Sequence, residues 1–285
     1  MLVPLAGGGQ ETLLSEVGFV LLPLFTTVDA CALRLVCREF LAAVREHPWE
    51  DSETVIQGSI AAWRACFPHS RCANVRECTN FPELGARAVP VVDADFVHFE
   101  GLRELCMDGC RSVTDAAFVH LRGIHTLDMS CCDQPAVTDA AFVHLVGIQR
   151  LSINSCDQDT ITDAAFAHLA GIQLLNIGSC QQLTDAAFVH LRGIHTLYMW
   201  NCFQPAITDA AFAHLRGIHT LVIDHCDQAT ITGAAFAHLK GIHALGMFGC
   251  RGELLASARS LGLRVNTRHC TSYSGLHYTF DPRGF

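Results

Sequence analysis

The feature that most restricts this chain is a block of text that keeps restarting. Thr114-Asp115-Ala116-Ala117-Phe118-Val119-His120-Leu121-Arg122-Gly123-Ile124 has near copies from Thr138, Thr162, Thr184, Thr208 and Thr232, and a worn copy starts at Val92. Each of the seven units carries a cysteine at the same offset: Cys110, Cys132, Cys156, Cys180, Cys202, Cys226 and Cys250. Successive starts are 22 or 24 residues apart. A unit this short has no core of its own. Stacked units share one, so a fixed period of this length predicts a solenoid over residues 92–250.

The letters inside a unit assign its parts. Thr-Asp predicts a helix N-cap followed by an acid at the positive end of the helix. Ala-Ala-Phe-x-x-Leu supplies a buried helical face. Arg122, Arg192, Arg216 and Lys240 fall where the last turn is expected, and Gly123 and its equivalents stop the helix. Ile124-x-x-Leu127-x-Met129 predicts a short strand with alternate residues pointing inward. The longer units gain their extra residues between Cys and Thr, so that difference is loop. Stacking would set the seven cysteines in a row about 4.8 Å apart, as buried structural thiols. A single row does not make metal ligands converge, and no metal site is expected.

Half of the 285 residues are apolar and 16% are charged, so the chain can bury a large core. A net charge of −9 opposes sequence-independent binding to a phosphate backbone, and no nucleic-acid partner is expected. The first residues lack a basic segment ahead of an apolar one and do not read as a signal peptide. The longest apolar run near them, 17–25, is far short of the roughly 20 residues of a membrane helix. The expectation is a protein of the cytoplasm or nucleus with reduced thiols and no membrane association.

Residues 1–12 read as a leader, and the text changes at 13–51. Val17, Val20, Leu21 and Leu24 recur at helical spacing. Asp29 is expected to cap a second helix carrying Leu33, Val36, Cys37 and Phe40 on one face, with Pro48 stopping it. This stretch resembles the F-box, a small helical module that joins a substrate receptor to the Skp1-type adaptor and cullin of an SCF ubiquitin ligase. Leu13 and Glu16 match the family's opening Leu-Pro-x-Glu, Leu21 and Leu22 its Ile-Phe pair, and Phe25 the following Leu. Val36-Cys37-Arg38 matches its Val-Cys-Arg/Lys triplet and Phe40 its aromatic position. Leu14 and Ala30 stand where the family has Pro and Leu, on its adaptor-facing side. The resemblance implies a Skp1-binding surface of Leu13, Glu16, Leu21, Leu22, Phe25, Val36, Cys37 and Phe40. The other reading of 13–51 is a helical cap over the open end of the array, which a solenoid requires. Residues 52–91 read as a linker and an irregular capping repeat, and 251–285 as a C-terminal cap and tail.

The repeats resemble the cysteine-containing class of leucine-rich repeats, with its Leu-x-x-Leu-x-Leu-x-x-Cys strand. That resemblance implies an α/β fold: a curved solenoid, parallel strands concave and helices convex, preceded by the small all-α module. In the family this repeat class commonly stands behind an F-box, which is the order here.

Comparing the units with one another locates what changes. One varying column is Cys106, Asp128, Ser152, Asn176, Tyr198, Val222 and Gly246, and a second is Asp108, Ser130, Asn154, Gly178, Trp200, Asp224 and Phe248. A third, just before the ladder cysteine, is Gly109, Cys131, Ser155, Ser179, Asn201, His225 and Gly249. The period of two turns the first two columns away from the core, onto the exposed concave face. A constant scaffold with one varying face is what a repeat-built binding surface shows. Asp108, Asp128, Tyr198, Trp200, Val222, Asp224, His225 and Phe248 are therefore the expected contacts for a protein substrate. Tyr198, Trp200, Phe203 and Phe248 cluster in the last units and include residue types favoured at binding hot spots. The competing reading is that Trp200 and Phe248 fold over their neighbours. Asp108 and Asp128 would suit a basic segment.

The histidines occupy two repeat rows, which reads as structure, not as a metal or pH site. No nucleophile motif, phosphate-cradling loop or His-Glu-x-x-His occurs, so neither catalysis nor a cofactor is expected. The expectation is a non-catalytic substrate receptor of an SCF ligase; the alternative is a leucine-rich-repeat interaction module with no ubiquitin role.

Overall fold

The computed structural model describes residues 22–77 and 86–268. Leu13, Glu16 and Leu21 of the expected adaptor surface, with Leu14, lie outside the described residues. Among the described residues one sheet of nine parallel strands runs in chain order. The strands are β1 (Cys72–Asn74), β2 (Glu104–Cys106), β3 (Thr126–Asp128), β4 (Arg150–Ser152), β5 (Leu174–Asn176), β6 (Thr196–Tyr198), β7 (Thr220–Val222), β8 (Ala244–Gly246) and β9 (Val265–Asn266). Leu105, Leu127, Leu151, Leu175, Leu197, Leu221 and Leu245 pair in register, so equivalent residues form columns. The fold is a curved α/β leucine-rich-repeat solenoid.

The helical side of each repeat is shorter and tighter than expected. Asp115–Leu121 is a single 3-10 stretch, and Asp139–Phe142 is α only before tightening to 3-10 over Val143–Leu145. Arg122 already has extended backbone (φ −59, ψ 127), and Gly123 then turns the chain at φ 81. The cations at this position therefore stand just beyond the helix and not in its last turn.

Three side-chain ladders stitch neighbouring repeats. The Asp at the second position of each unit accepts from the backbone N–H and hydroxyl of the next repeat's Thr, from Asp93–Thr114 through Asp209–Thr232, at 2.6–2.9 Å. Each ladder cysteine donates its thiol to a carbonyl of the preceding repeat, from Cys110 on Val75 to Cys250 on Ile223, at 2.8–3.5 Å. Gln134, Gln158, Gln182 and Gln204 donate Nε2 to the ladder cysteine's carbonyl one repeat back, at 2.9–3.2 Å. Every described cysteine is a free thiol. Burial pushes Cys110, Cys132, Cys156, Cys180 and Cys226 well above the usual thiol range, and Cys250 to about 12. The row is structural chemistry, as its spacing implied.

The ladders surround a continuous core running from Ile56 to Ala258, in which Phe118, Phe142, Phe166, Phe188, Phe212 and Phe236 are fully buried. At its far end helix α4 (Gly252–Ser260) and β9, paired to β8, make the last helix–strand unit among the described residues. Gly233 replaces the ladder aspartate there, and a β-carbon on it would meet Ser257 Cβ and Oγ at 2.7 Å. The aspartate is lost where its next Thr would be and where α4 needs the space.

At the other end α1 (Thr27–Leu33), α2 (Arg38–Glu46) and α3 (Ile60–Cys66) follow one another. The single helix expected to carry Leu33 through Phe40 is two helices. Thr26, not Asp29, caps α1; Asp29 reaches back to the Thr26 N–H at 3.0 Å and completes a capping box. The chain turns at 34–37, and the Cys37 thiol accepts from the Phe40 N–H to cap α2. Leu22, Ala30, Val44, Trp49 and Phe67 form the module's own core, with Trp63 touching both this core and that of the solenoid. Asp51 ties α1 to the following chain, accepting from Thr27 N and Oγ1 at 2.8 and 2.9 Å. Among the described residues no helix is long and apolar enough to cross a membrane.

Candidate binding face

The concave face is built by strand residues and by the two that follow each strand. Its aromatic end is packed, which corrects the expectation of exposed anchors. Trp200 is 8% and Tyr198 6% exposed, and with Val222 they form a small cluster of their own, flanked by Leu174. The period of two sets the side a residue faces but not how crowded that side is. Trp200 is seated because its neighbour one repeat back is Gly178. A β-carbon there would lie 2.6 Å from Trp200 Nε1 and 2.9 Å from Asn154 Oδ1. The indole thus lies on bare backbone and reaches across repeats toward Asn154.

The acidic candidates are likewise engaged. Asp108 pairs with Arg76 at 3.2 Å, both nearly buried. Asp128 accepts from the Ser130 N–H at 3.0 Å and its hydroxyl at 2.6 Å, and Ser130 Oγ lies 2.8 Å from Ser152 Oγ. Asp224 accepts from the Phe248 N–H at 2.8 Å. These carboxylates shape the face from within, so an open acidic rim at Asp108 and Asp128 is not what the fold presents.

Open to solvent on this side are Arg150, exposed, and Glu104, Leu174, Thr220, His225 and Phe248, each half-buried. His225 meets Phe248 edge-on, centroids 5.0 Å apart. Phe203 projects from the turn after β6 at 53% exposure. The third varying column has a backbone cause. Cys131, Ser155, Ser179, Asn201 and His225 all have φ between 53 and 60, and Gly109 and Gly249 are left-handed too. This position admits only residues that tolerate that region, which restricts its variation.

In the module ahead of the solenoid the implied adaptor residues separate. Leu22 is buried in the module core, Phe25 and Val36 are exposed, and Cys37 and Phe40 are half-buried. Ala30 is fully buried, so it faces the module core and not an adaptor surface. Leu24, Val28 and Leu35, which the resemblance did not single out, are with Val36 the large apolar residues most open to solvent there. Among the described residues no three His, Cys, Asp or Glu side chains gather as a metal-binding group.

No family model and no curated protein matches the chain. Solved structures do. A chain of the Drosophila Toll–Spatzle complex aligns at TM-score 0.57 and 13% identity, covering 81% of this chain and 32% of its own. A chain of the TLR13–ssRNA13 complex aligns at 0.53 and 14%, covering 76% and 32%. Human 5T4 (Wnt-activated inhibitory factor 1) aligns at 0.50 and 15%, covering 74% and 84%. This chain thus spans about a third of the length of those first two chains. At these identities the likeness is one of architecture: the chain has the leucine-rich-repeat fold.

Proposed function

We propose that this chain is the substrate receptor of an SCF-type ubiquitin ligase, itself non-catalytic, with the α1–α2 module docking a Skp1-type adaptor and cullin complex and the solenoid holding a protein substrate. The observation that carries this reading is an apolar surface left on a module whose own core is already filled. Leu24, Val28, Leu35 and Val36 are 76, 62, 80 and 67% exposed, within a short stretch flanked by Phe25, Cys37 and Phe40. A cap that only closed the array would turn such residues inward; left outward within one short segment, they suit a helical partner. Buried Leu22 and Ala30 support that surface from beneath. On the substrate side, Leu174, His225 and Phe248 offer the contact area, while Tyr198, Trp200 and Val222 form a rigid floor, and Asp108, Asp128 and Asp224 brace it. A floor already packed loses little freedom on binding.

The test is retention of a Skp1–cullin mixture by the immobilised full chain. Micromolar wild-type chain should hold the adaptor, and Leu35→Asp with Val36→Asp should lose it without a change in Tm. If the wild type holds no Skp1 while still capturing a protein on its concave face, the chain is a leucine-rich-repeat interaction module with no ubiquitin role.

A further inference from the structure

The edge of the solenoid where each helix turns into its strand has a charge character opposite to the chain as a whole. In three successive repeats it carries Arg192, Arg216 and Lys240, all exposed, followed by His195, His219 and His243, also exposed. The imidazoles form a column: His195 stacks on His219 at 4.4 Å, and His219 on His243 at 4.5 Å. Nδ1 of His195 and of His219 lies 3.0 and 3.1 Å from the hydroxyls of Thr196 and Thr220, which leaves Nε2 for another group. Arg192 Nε donates to His214 Nδ1 at 3.3 Å, and Arg216 Nη2 lies 3.4 Å from His238 Nδ1, fixing both guanidinium groups along the row.

Among the described residues, the segments that build this edge in the last three repeats carry no carboxylate. None occurs between Asp185 and Asp209, between Asp209 and Asp224, or between Asp227 and Glu253. Asp185 and Asp209 are held by the next repeat's Thr at the opposite end of the helix, and Asp227 pairs with Arg251. Two exposed arginines elsewhere pair with carboxylates, Arg71 with Glu50 and Arg111 with Asp133, both at 3.1 Å, while Arg103, Arg122 and Arg150 on the earlier part of this edge do not. Among the described residues no carboxylate pairs with Arg192, Arg216 or Lys240. A cation just past a helix end complements the helix dipole, which accounts for one Arg per repeat. It does not account for the imidazole column or the excluded acids.

We propose that this edge, over the last three repeats, docks a short acidic segment of a partner protein. Three repeats span about 10 Å at strand spacing, the length of roughly three or four extended residues. Guanidinium forks match carboxylates two bonds at a time, and the column adds donors beside them. Screening over about 8 Å at physiological salt hides the distant acids responsible for the net −9 charge from a ligand this short. A nucleic acid longer than the patch would run past it onto a chain whose net charge is −9.

The assay is fluorescence anisotropy of a labelled Glu-rich tetrapeptide flanked by Gly and Ser, titrated with the full chain at low salt and without adaptor, so the outcome is separate from Skp1 recruitment. Saturable binding is expected, weakened about tenfold in R192Q/R216Q/K240Q, three exposed changes that leave Tm in place. Restoring charge as R192K/R216K should recover part of the affinity. No saturable binding, binding indifferent to the triple change, or stronger capture of a single-stranded oligonucleotide of equal charge would each overturn the proposal.

Discussion

The packing of Trp200 on Gly178 can be tested from both sides of the contact. A buried tryptophan withdraws about 150–250 Å² from water. At roughly 25 cal/mol per Å², and with a discount for a partly compact unfolded chain, this is worth about 2–5 kcal/mol. Trp200→Ala should therefore lower Tm by roughly 5–15 °C on a chain of this length. Gly178→Ala places a methyl inside the space of the indole and should cost about 1–3 kcal/mol by overpacking. The diagnostic is the pair together. Once the indole is gone the methyl meets only Asn154 Oδ1 at 2.9 Å, the end of a side chain that can turn aside, so the double variant should be about as stable as Trp200→Ala alone, a coupling of about 1–3 kcal/mol. Urea melts give the energies, and emission reports burial directly, because Trp200 is one of only three tryptophans in the chain. Additive losses, or a Trp200→Ala variant that melts with the wild type, would refute the seating and return Trp200 to the role of a free anchor.

Other expectations follow from the ladders and the module. Gly233→Asp restores the repeat's own letter yet should destabilise α4 by about 1–3 kcal/mol through contact with Ser257; faster amide exchange over 252–268, rescued by Ser257→Gly, is the measurement. Alkylation of the native protein at pH 8 should mark half-buried Cys31, Cys37, Cys66 and Cys131 before any of the ladder thiols, which burial keeps protonated; early mass-spectrometric labelling of Cys156 or Cys180 would contradict this. Burial raises the Asp51 carboxyl pKa, but bonds from Thr27 and Thr54 outweigh it and leave the value below the usual 3.8. A lowered carboxylate stabilises the fold above its unfolded value, and that contribution disappears as pH falls through the folded value. Asp51→Asn should accordingly flatten the loss of Tm below about pH 4, and an unchanged acid slope would count against the tie between α1 and the chain at 51–54.

The array was legible because its message is redundant. Strand positions, the inward leucines and the thiol row all follow from one offset repeated seven times. The rest escaped because it depends on pairs of repeats. Thr-Asp reads as a cap within one unit, and only stacking shows the aspartate serving the next unit's threonine. A glutamine stands two residues after five of the seven ladder cysteines, at 134, 158, 182, 204 and 228, and that recurrence was the signal that could have revealed its role. Trp200 looks exposed until Gly178, one repeat earlier, is seen to make room for it. Residues 114–183 and 184–253 in fact align without a gap, and Asp128, Ser130 and Asp133 of the first block face Tyr198, Trp200 and Phe203 of the second. In 13–51, with no repeat to average over, helical spacing ran two helices into one across the turn at 34–37.

The aspartate–threonine ladder also gives the stack a direction of growth. Each repeat offers an acceptor forward and a donor backward, so any whole unit inserted between Asp93 and Thr232 finds both neighbours already matched. Gly233 ends the series: a unit appended after it would meet no carboxylate and would have to displace α4. Array length is thus written in one residue near the end of the series. Lengthening or shortening this protein by internal copying is a change of gene text that the backbone accepts without new chemistry, whereas extension past Gly233 requires rebuilding α4.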